Sequence, residues 1–393
     1  MNNTETPAGE NAAAPVNTAI NSNTSSIIQN ENKGNISKCD CNTVIVVNPT
    51  SSSGSTGKGW DELYSKIKEA FGGETPEVVF TTKAGDGTTL TREFLKKGFK
   101  RVVAMGGDGT INEVVNGFFS EKKNPNSQAS SFSSSSSPVS SDKGSSPESN
   151  TDNNNNNFKS ATLYPINPQA IMGLFPSGTR NVLAKSLDFP EGVMECCNNF
   201  IKGKTQKIDV ISATATDPND HLKAVTKVFL NAAEIGFGAE IIDKSKKMRN
   251  KINSRLVSTV ASIATTLPGY ESNLCEVIVD DGREKVLLKM TMGIIANGKF
   301  IGGGFMAAPQ ASVSDGLLDI VILKDSDSIT MLDELVNMKT GKYSDESEIF
   351  YMQSRKVSIH SKERDVPVTI DGEPIGILPA TFQILEKALT VGM

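Results

Sequence analysis

The sequence predicts an α/β + β architecture: an N-terminal α/β domain on a doubly wound parallel sheet, then an antiparallel β-sandwich-like domain. Three observations carry this. Between 42 and 205, short apolar runs alternate with amphipathic stretches, the pattern of a parallel sheet covered on both faces. From 206 the texture changes to short runs separated by tight turns, as in antiparallel strands. In the first region, glycine-rich turns follow strands directly. The expected boundaries are a disordered tail at 1–41, the α/β domain at 42–205 and a β-rich domain at 206–378. A last segment, 379–393, is expected to return towards the first domain.

Element by element, "NTVIVVNP" (42–49) reads as a buried strand ending in a turn, and "GWDELYSKIKEAF" (59–71) as a helix. "PEVVFTT" (76–82) is a strand and "GTTLTREFLKKGF" (87–99) a helix. "KRVVAM" (100–105) is the next strand and "INEVVNGFF" (111–119) the next helix. "IMGLFPSG" (171–178) is a strand and turn, followed by helices at 181–187 and 193–203. Beyond 206, strands are expected at 205–215, 224–236, 274–281, 284–298, 316–325, 351–361 and 366–374. One helical stretch, "KSKKMRNKINSRLVSTVASIATTL" (244–267), interrupts them, basic in its first half and apolar in its second.

Two tracts cannot bury much. Residues 1–40 are rich in Asn, Ser, Thr, Ala and Gly and read as disordered. The insert at 121–160 contains a Ser/Asn tract (127–157), expected as a solvated loop, because closure entropy grows only logarithmically with length. Net charge is −5, so no bulk basicity points to nucleic acid. His221 and His360 are the only histidines, which disfavours a Ser-His-Asp hydrolase or a histidine-rich metal site. The five cysteines, Cys39, Cys41, Cys196, Cys197 and Cys275, lack CxxC spacing and read as reduced intracellular thiols. No basic-then-apolar start and no run of about 18 apolar residues occurs, so a soluble or peripheral protein is expected.

The stretch "RVVAMGGDGTINEVVNGFF" (101–119) is the most informative. Gly106, Gly107 and Gly109 let backbone approach a ligand, and the next helix offers free N–H groups and partial positive charge, as a phosphate site needs. Asp108 either meets a cation or polar ligand group there, or caps the helix. Upstream, "SSSGSTGKGW" (51–60) fails as a P-loop because the glycine gap is wrong and no Ser or Thr follows Lys58. It reads instead as a flexible, Lys-bearing lip. In "LFPSGTRNVLAKSL" (174–187), Ser177, Gly178 and Thr179 can donate hydrogen bonds and Arg180 can pair with phosphate. Two such loops would flank one crevice at the carboxyl edge of the sheet.

Gly106-Gly107-Asp108-Gly109-Thr110 with "INEVVNG", followed by "PSGTRNVLAKSL", resembles the diacylglycerol kinase catalytic domain family, which includes soluble bacterial lipid kinases and the sphingosine and ceramide kinases. Matching pieces follow in order: "NPTSSSG" (48–54), "TTKAGDGT" (81–88), "KIDV" (207–210), "NAAEIGFGAE" (231–240), "GGGFMAAPQASVSDGLLDIVIL" (302–323) and "DGEPIGILPATFQI" (371–384). The resemblance spans about 42–390 without the insert.

It implies ATP in the cleft between the two domains and phosphoryl transfer to a lipid hydroxyl. Asn48, Pro49, Thr50, Ser51, Ser52, Thr81, Gly106 to Glu113 (with Thr110, Ile111 and Asn112) and Ser177 to Asn181 would hold the nucleotide. Glu373 would accept the proton, its alternative being a plain Asp-Gly hairpin turn. Asp108 and Asp209 would stand near the catalytic Mg²⁺ and phosphates. Asp315, with carbonyls of Ser312 and Leu317, matches a family Mg²⁺ position, or else is another Asp-Gly turn. Val182 departs from the family's usual Asp, with the often basic position at Lys185.

Lys244, Lys246, Lys247, Arg249, Lys251 and Arg255 form either a solvated face or a contact for anionic headgroups, giving peripheral membrane association through 244–267. The expected setting is the cytoplasm at the inner membrane face, with ATP and a membrane lipid as partners, no nucleic acid, and a homodimer. NAD kinase shares the Gly-Gly-Asp-Gly-Thr loop, but the Gly-Thr-Arg-Asn and Asp-Gly-Glu-Pro segments argue against it. A non-catalytic lipid or nucleotide sensor is opposed by retention of Asp108, Asp209, Asp315 and Glu373.

Overall fold

A computed structural model describes residues 42–72, 74–121, 161–178, 181–190, 192–249, 255–343 and 348–393. The tail at 1–41, nearly all of the insert (122–160), and Thr179 and Arg180 lie outside the described residues.

The first lobe grows from β1 (Thr43–Val47), a run of β-branched residues with no exposed member. Such a run has no solvent face and belongs in the middle of a sheet. β1 lies parallel between β2 (Glu77–Phe80) and β3 (Arg101–Gly106). A short ribbon, β4 (Phe119–Ser120) against β5 (Tyr164–Pro165), pins together the two ends of the insert. The insert therefore leaves the sheet undisturbed, and β6 (Ile171–Pro176) pairs in parallel with β3. Helices α1 (Ser51–Lys58), α2 (Trp60–Ala70), α3 (Asp86–Lys96), α4 (Asp108–Phe118), α5 (Val182–Ser186) and α6 (Val193–Ile201) complete the lobe.

The second lobe contains β7 (Thr205–Asp217), β8 (Asp220–Phe229), β9 (Ala232–Gly236), β10 (Asn273–Val279), β11 (Glu284–Ala296), β12 (Leu318–Lys324), β13 (Ile349–Ser354), β14 (Lys356–Ser361), β15 (Pro367–Ile370) and β16 (Glu373–Gly392). Three helices join it: α7 (Phe237–Arg249), α8 (Arg255–Thr266) and α9 (Ser328–Thr340).

β16 ties the lobes together. It starts in a hairpin with β15, pairs antiparallel with β14 and β7, and ends with Thr390–Gly392 parallel to Ile171–Gly173 of β6. Its Phe382 belongs to the core of the second lobe, whereas Leu389 and Val391 pack with Ile208 and Val210 in the first. The first core thus borrows its last wall from strands that begin or end in the second lobe. The expected return of 379–393 is accordingly part of one strand that begins at Glu373.

Several local expectations change. The expected lip at 51–60 is mostly helix: the Thr50 N–H donates to Asn48 Oδ1, the Ser51 and Thr56 hydroxyls lie 2.6 Å apart, and Ser52 Oγ donates to the Ser177 carbonyl. These contacts override the weak helix propensity of Ser and Gly. The run 224–236 splits into β8 and β9 at Leu230–Asn231, and 351–361 splits at Arg355. At both breaks a distant carboxylate collects backbone N–H groups, Asp371 at the first and Asp280 at the second. The stretch 244–267 falls in two helices, with 250–254 outside the described residues. Helix α9 was missed, although Asp327 caps its start and Gly341 ends it with φ +67. Cys196, Cys197 and Cys275 are buried free thiols.

If β16 couples the two cores, Leu389→Ala should destabilise the protein by about 2–5 kcal/mol, because Leu389 is 2% exposed in the first core. Urea unfolding measures this, and a loss below about 0.5 kcal/mol would refute the coupling.

Candidate active site

One cavity of about 1680 Å³ opens between the lobes at the carboxyl ends of β1, β2, β3 and β6. Three loops meet there. Asn48 Nδ2 donates to Thr110 Oγ1 (3.0 Å), joining the loop after β1 to that after β3. The Ser177 N–H donates to the Gly106 carbonyl (2.9 Å), joining the loop after β6. A Cβ on Gly178 would stand 2.4 Å from the Gly107 Cα, so the two glycine turns touch backbone to backbone. This contact forbids a side chain at Gly178 and leaves the N-terminus of α4 facing the cavity. A pocket walled by N–H groups and a helix N-terminus suits phosphate.

Of the expected nucleotide residues, Asn48, Thr50, Ser51, Ser52, Thr81, Gly107, Asp108, Gly109, Thr110, Asn112, Glu113 and Gly178 line the cavity. Pro49, Gly106, Ile111, Ser177 and Asn181 do not. Ile111 is 1% exposed in the core, a Cβ on Gly106 would strike the Thr110 side chain, and Ser177 is held by Ser51 and Ser52. These residues shape the loops from behind. Glu113 is committed too, its oxygens accepting the Gly85 and Gly87 N–H groups (2.8 and 2.9 Å), which fixes the start of α3.

Asn112 and Asn116 lie one turn apart on α4, on the face turned to the second lobe. Asn116 makes a two-point contact with the Val228 backbone, donating to its carbonyl and accepting from its N–H (2.9 Å each). Asn112 Nδ2 donates to Asp371 Oδ2 (3.1 Å). Asp371 also accepts the N–H groups of Leu230, Asn231 and Ala232. Desolvation pushes its carboxyl above the ordinary range, and the Asn112 and backbone donors pull against that rise. The motif gave no separate role to Asp371, which proves to be the hub between the lobes.

Glu373 follows two residues later. Its Oε1 lies 3.8 Å from where a Cβ on Gly109 would stand, so it looks onto the start of α4. Lys246 of α7 reaches it with a 2.8 Å ion pair. Asp108 accepts the Leu183 N–H at the start of α5 (3.4 Å), so its capping contact serves a neighbouring helix. Lys246 was legible only as one of a basic run. In the fold it falls on a cavity-lining stripe of Gly238, Ile241, Ile242, Ser245 and Lys246, spaced as one helix face. From this junction an apolar arm continues, lined by Phe237, Ile241, Ile263, Met292, Phe305 and Met338.

Asp209 is a correction. It is fully buried and does not line the cavity; its oxygens accept the N–H groups of Gly316 (2.7 Å) and Lys387 (2.6 Å). It fixes the loop of Ser312, Asp315 and Leu317, which stands apart from the cleft. Nearby, Asp319 is fully buried and accepts from Tyr351 and Gln353, while its Oδ2 has no partner. Desolvation raises the Asp319 carboxyl, and Asp315 is near enough to add to that push. Among the described residues no group of three or more His, Cys, Asp or Glu forms. Asp315 Oδ1 accepts the Leu317 N–H (3.0 Å), an Asp-Gly turn contact, and a carboxylate with loop carbonyls is the kind of donor set a hard cation takes.

Residues 42–133 and 154–213 match the family described as "Diacylglycerol kinase catalytic domain", and 231–393 match "YegS C-terminal NAD kinase beta sandwich-like domain". The "Diacylglycerol kinase" of Bacillus subtilis (strain 168) is 24% identical over 89% of this chain and 95% of its own. A protein of Chromohalobacter salexigens named "Probable lipid kinase YegS-like" is 27% identical over 80% and 81%. A crystal structure of a diacylglycerol kinase from Bacillus anthracis str. Sterne superposes with TM-score 0.57 at 18% identity, covering 89% and 96%, which supports the fold. The chain belongs to the diacylglycerol kinase catalytic domain family and carries the YegS-type C-terminal domain.

The hub is testable by Asp371→Asn, which turns an amide NH₂ towards backbone donors. It should cost about 1–3 kcal/mol in denaturant unfolding, and wild-type stability would show that these contacts do not hold the lobes.

Proposed function

We propose that this protein transfers the γ-phosphoryl group of ATP, with Mg²⁺, to the hydroxyl of a diacylglycerol-like lipid at the cytoplasmic face of a membrane. The observation that carries this reading is the continuity of the cavity. Its polar end, at the glycine turns and the start of α4, suits a polyphosphate; its apolar arm suits an acyl chain; Glu373 and Lys246 stand where the two meet.

Phosphoryl transfer depends on positioning and charge neutralisation. The N–H groups at the start of α4 hold the phosphates, and Asn48 with Thr110 keeps the adjoining loops in register. Glu373 accepts the proton of the lipid hydroxyl as that oxygen bonds to the γ-phosphorus and the bond from that phosphorus to the bridging oxygen breaks, releasing ADP. Lys246 adds positive charge at the junction and orients the Glu373 carboxylate. Gly109 lies beside Glu373, whose Oε1 would be in ordinary van der Waals contact with a Cβ there (3.8 Å). Magnesium bound with the nucleotide would spread phosphate charge, while a cation held by Asp315 and the carbonyls of Ser312 and Leu317 would brace the loop that Asp209 anchors.

Purified protein, γ-labelled ATP, Mg²⁺ and a total lipid extract should move label into the organic phase. Glu373→Gln should slow that transfer by roughly 10²–10⁴-fold with an unchanged circular dichroism spectrum. Label appearing on added NAD instead of lipid would overturn the reading. A Glu373→Gln rate equal to wild type would remove only the assignment of the base.

A further inference from the structure

Helix α9 has two apolar faces. Met331, Leu335 and Met338 are 4%, 6% and 0% exposed, and Leu335 and Met338 line the cavity. On the other side Ile329, Leu332 and Val336 are 82%, 52% and 56% exposed. Their spacing places them on one stripe, with Lys339 on one flank and Asp333 on the other. The helix also holds the rim of the apolar arm. The Met306 N–H donates to the Lys339 carbonyl (3.4 Å), and Tyr343 Oη donates to the Ala307 carbonyl (2.6 Å), beside the cavity-lining Phe305.

We propose that the outer stripe of α9 docks on a lipid bilayer, so that one helix separates membrane from the apolar arm of the cavity. The inference rests on the lipid kinase reading, because it is the acyl chain of the acceptor that gives this continuity its use. The flanking charges are opposite in sign, which leaves apolar burial as the attraction. A second copy of the chain fits less well. The helix offers a strip roughly 20 Å by 10 Å, on the order of 200 Å², against about 800 Å² per partner in a stable interface. A bilayer sets no such minimum.

Three lysines of the basic stretch that is also expected to meet the membrane have partners within the fold. Lys244 donates to Thr266, Lys246 pairs with Glu373, and Lys247 pairs with Asp243. The side chains of Arg249, Lys251 and Arg255 lie outside the described residues. Among the described residues no helix is long and apolar enough to cross a membrane, so α9 would lie in the interface, apolar side down.

The test compares wild type with the triple variant Ile329→Gln, Leu332→Gln, Val336→Gln, chosen because Gln keeps helix propensity. Flotation uses neutral phosphatidylcholine vesicles containing long-chain diacylglycerol, at low and high salt, without ATP. Wild type should float at both salt concentrations, and the variant should bind at least tenfold less. Phosphorylation of vesicle-borne diacylglycerol should fall in step, while that of a monomeric short-chain diacylglycerol stays unchanged. Equal flotation of the two proteins would overturn the docking surface. So would a wild-type dimer that the variant loses in sedimentation equilibrium, since the stripe would then be a contact between copies. If wild type floats and the variant does not, yet neither acceptor is phosphorylated, docking stands and the kinase reading falls.

Discussion

The Asp371 carboxylate is the interaction on which the site depends. It accepts one N–H from Asn112 in the first lobe and three from the Leu230–Ala232 backbone in the second. A short acidic side chain in a left-handed turn, φ +47, can gather donors from several directions because its two oxygens offer about four acceptor sites. The same turn launches β16, so Glu373 inherits its position from Asp371. With Asn116 gripping Val228 one helical turn along, α4 carries both the glycine-rich end of the cavity and the contacts that set its width.

Chemistry at this site comes largely from backbone and from absence of bulk. Gly107 and Gly178 touch, and Gly109 lies beside Glu373. Most polar side chains of the loops are spent on each other, as with Asn48 and Thr110 or Glu113 and the start of α3. Such committed groups hold a cavity open for a ligand without supplying many ligands themselves. Charge enters from further side chains on the lining, among them Lys83, Lys96, Asp108, Lys227, Lys246 and Glu373.

The two lobes are not independent bodies joined by a linker. β7 and β16 run antiparallel through both, and the first core is completed by Ile208, Val210, Leu389 and Val391 from those strands. The sharing ties lobe separation to the packing of two cores, which are stiff because they are close-packed. It also places Glu373 at one end of a strand whose other end sits in the parallel sheet.

Much was legible in the sequence because it is written locally. An apolar run such as Val44–Val47, a strand followed by Gly106-Gly107, and the period of α4 each specify their own backbone through sterics and burial. They gave the parallel sheet, the strand-turn-helix glycine loop and the change to antiparallel strands after 206. The ordered motifs gave the family. What the sequence could not give were pairings between distant residues. Asn112 and Asp371 are 259 positions apart, Lys246 looked like part of a basic run, and Asp209 looked like a site residue until its oxygens were found on Gly316 and Lys387. The breaks at Leu230–Asn231 and Arg355 were hidden for the same reason, since the carboxylates that draw off those N–H groups come from elsewhere in the chain. Local sequence determined which elements form, because their propensity and burial pattern are properties of neighbours. Only the tertiary structure decided which polar atoms remain free for a ligand, because a hydrogen-bonding group is spent or spared by what folding brings beside it.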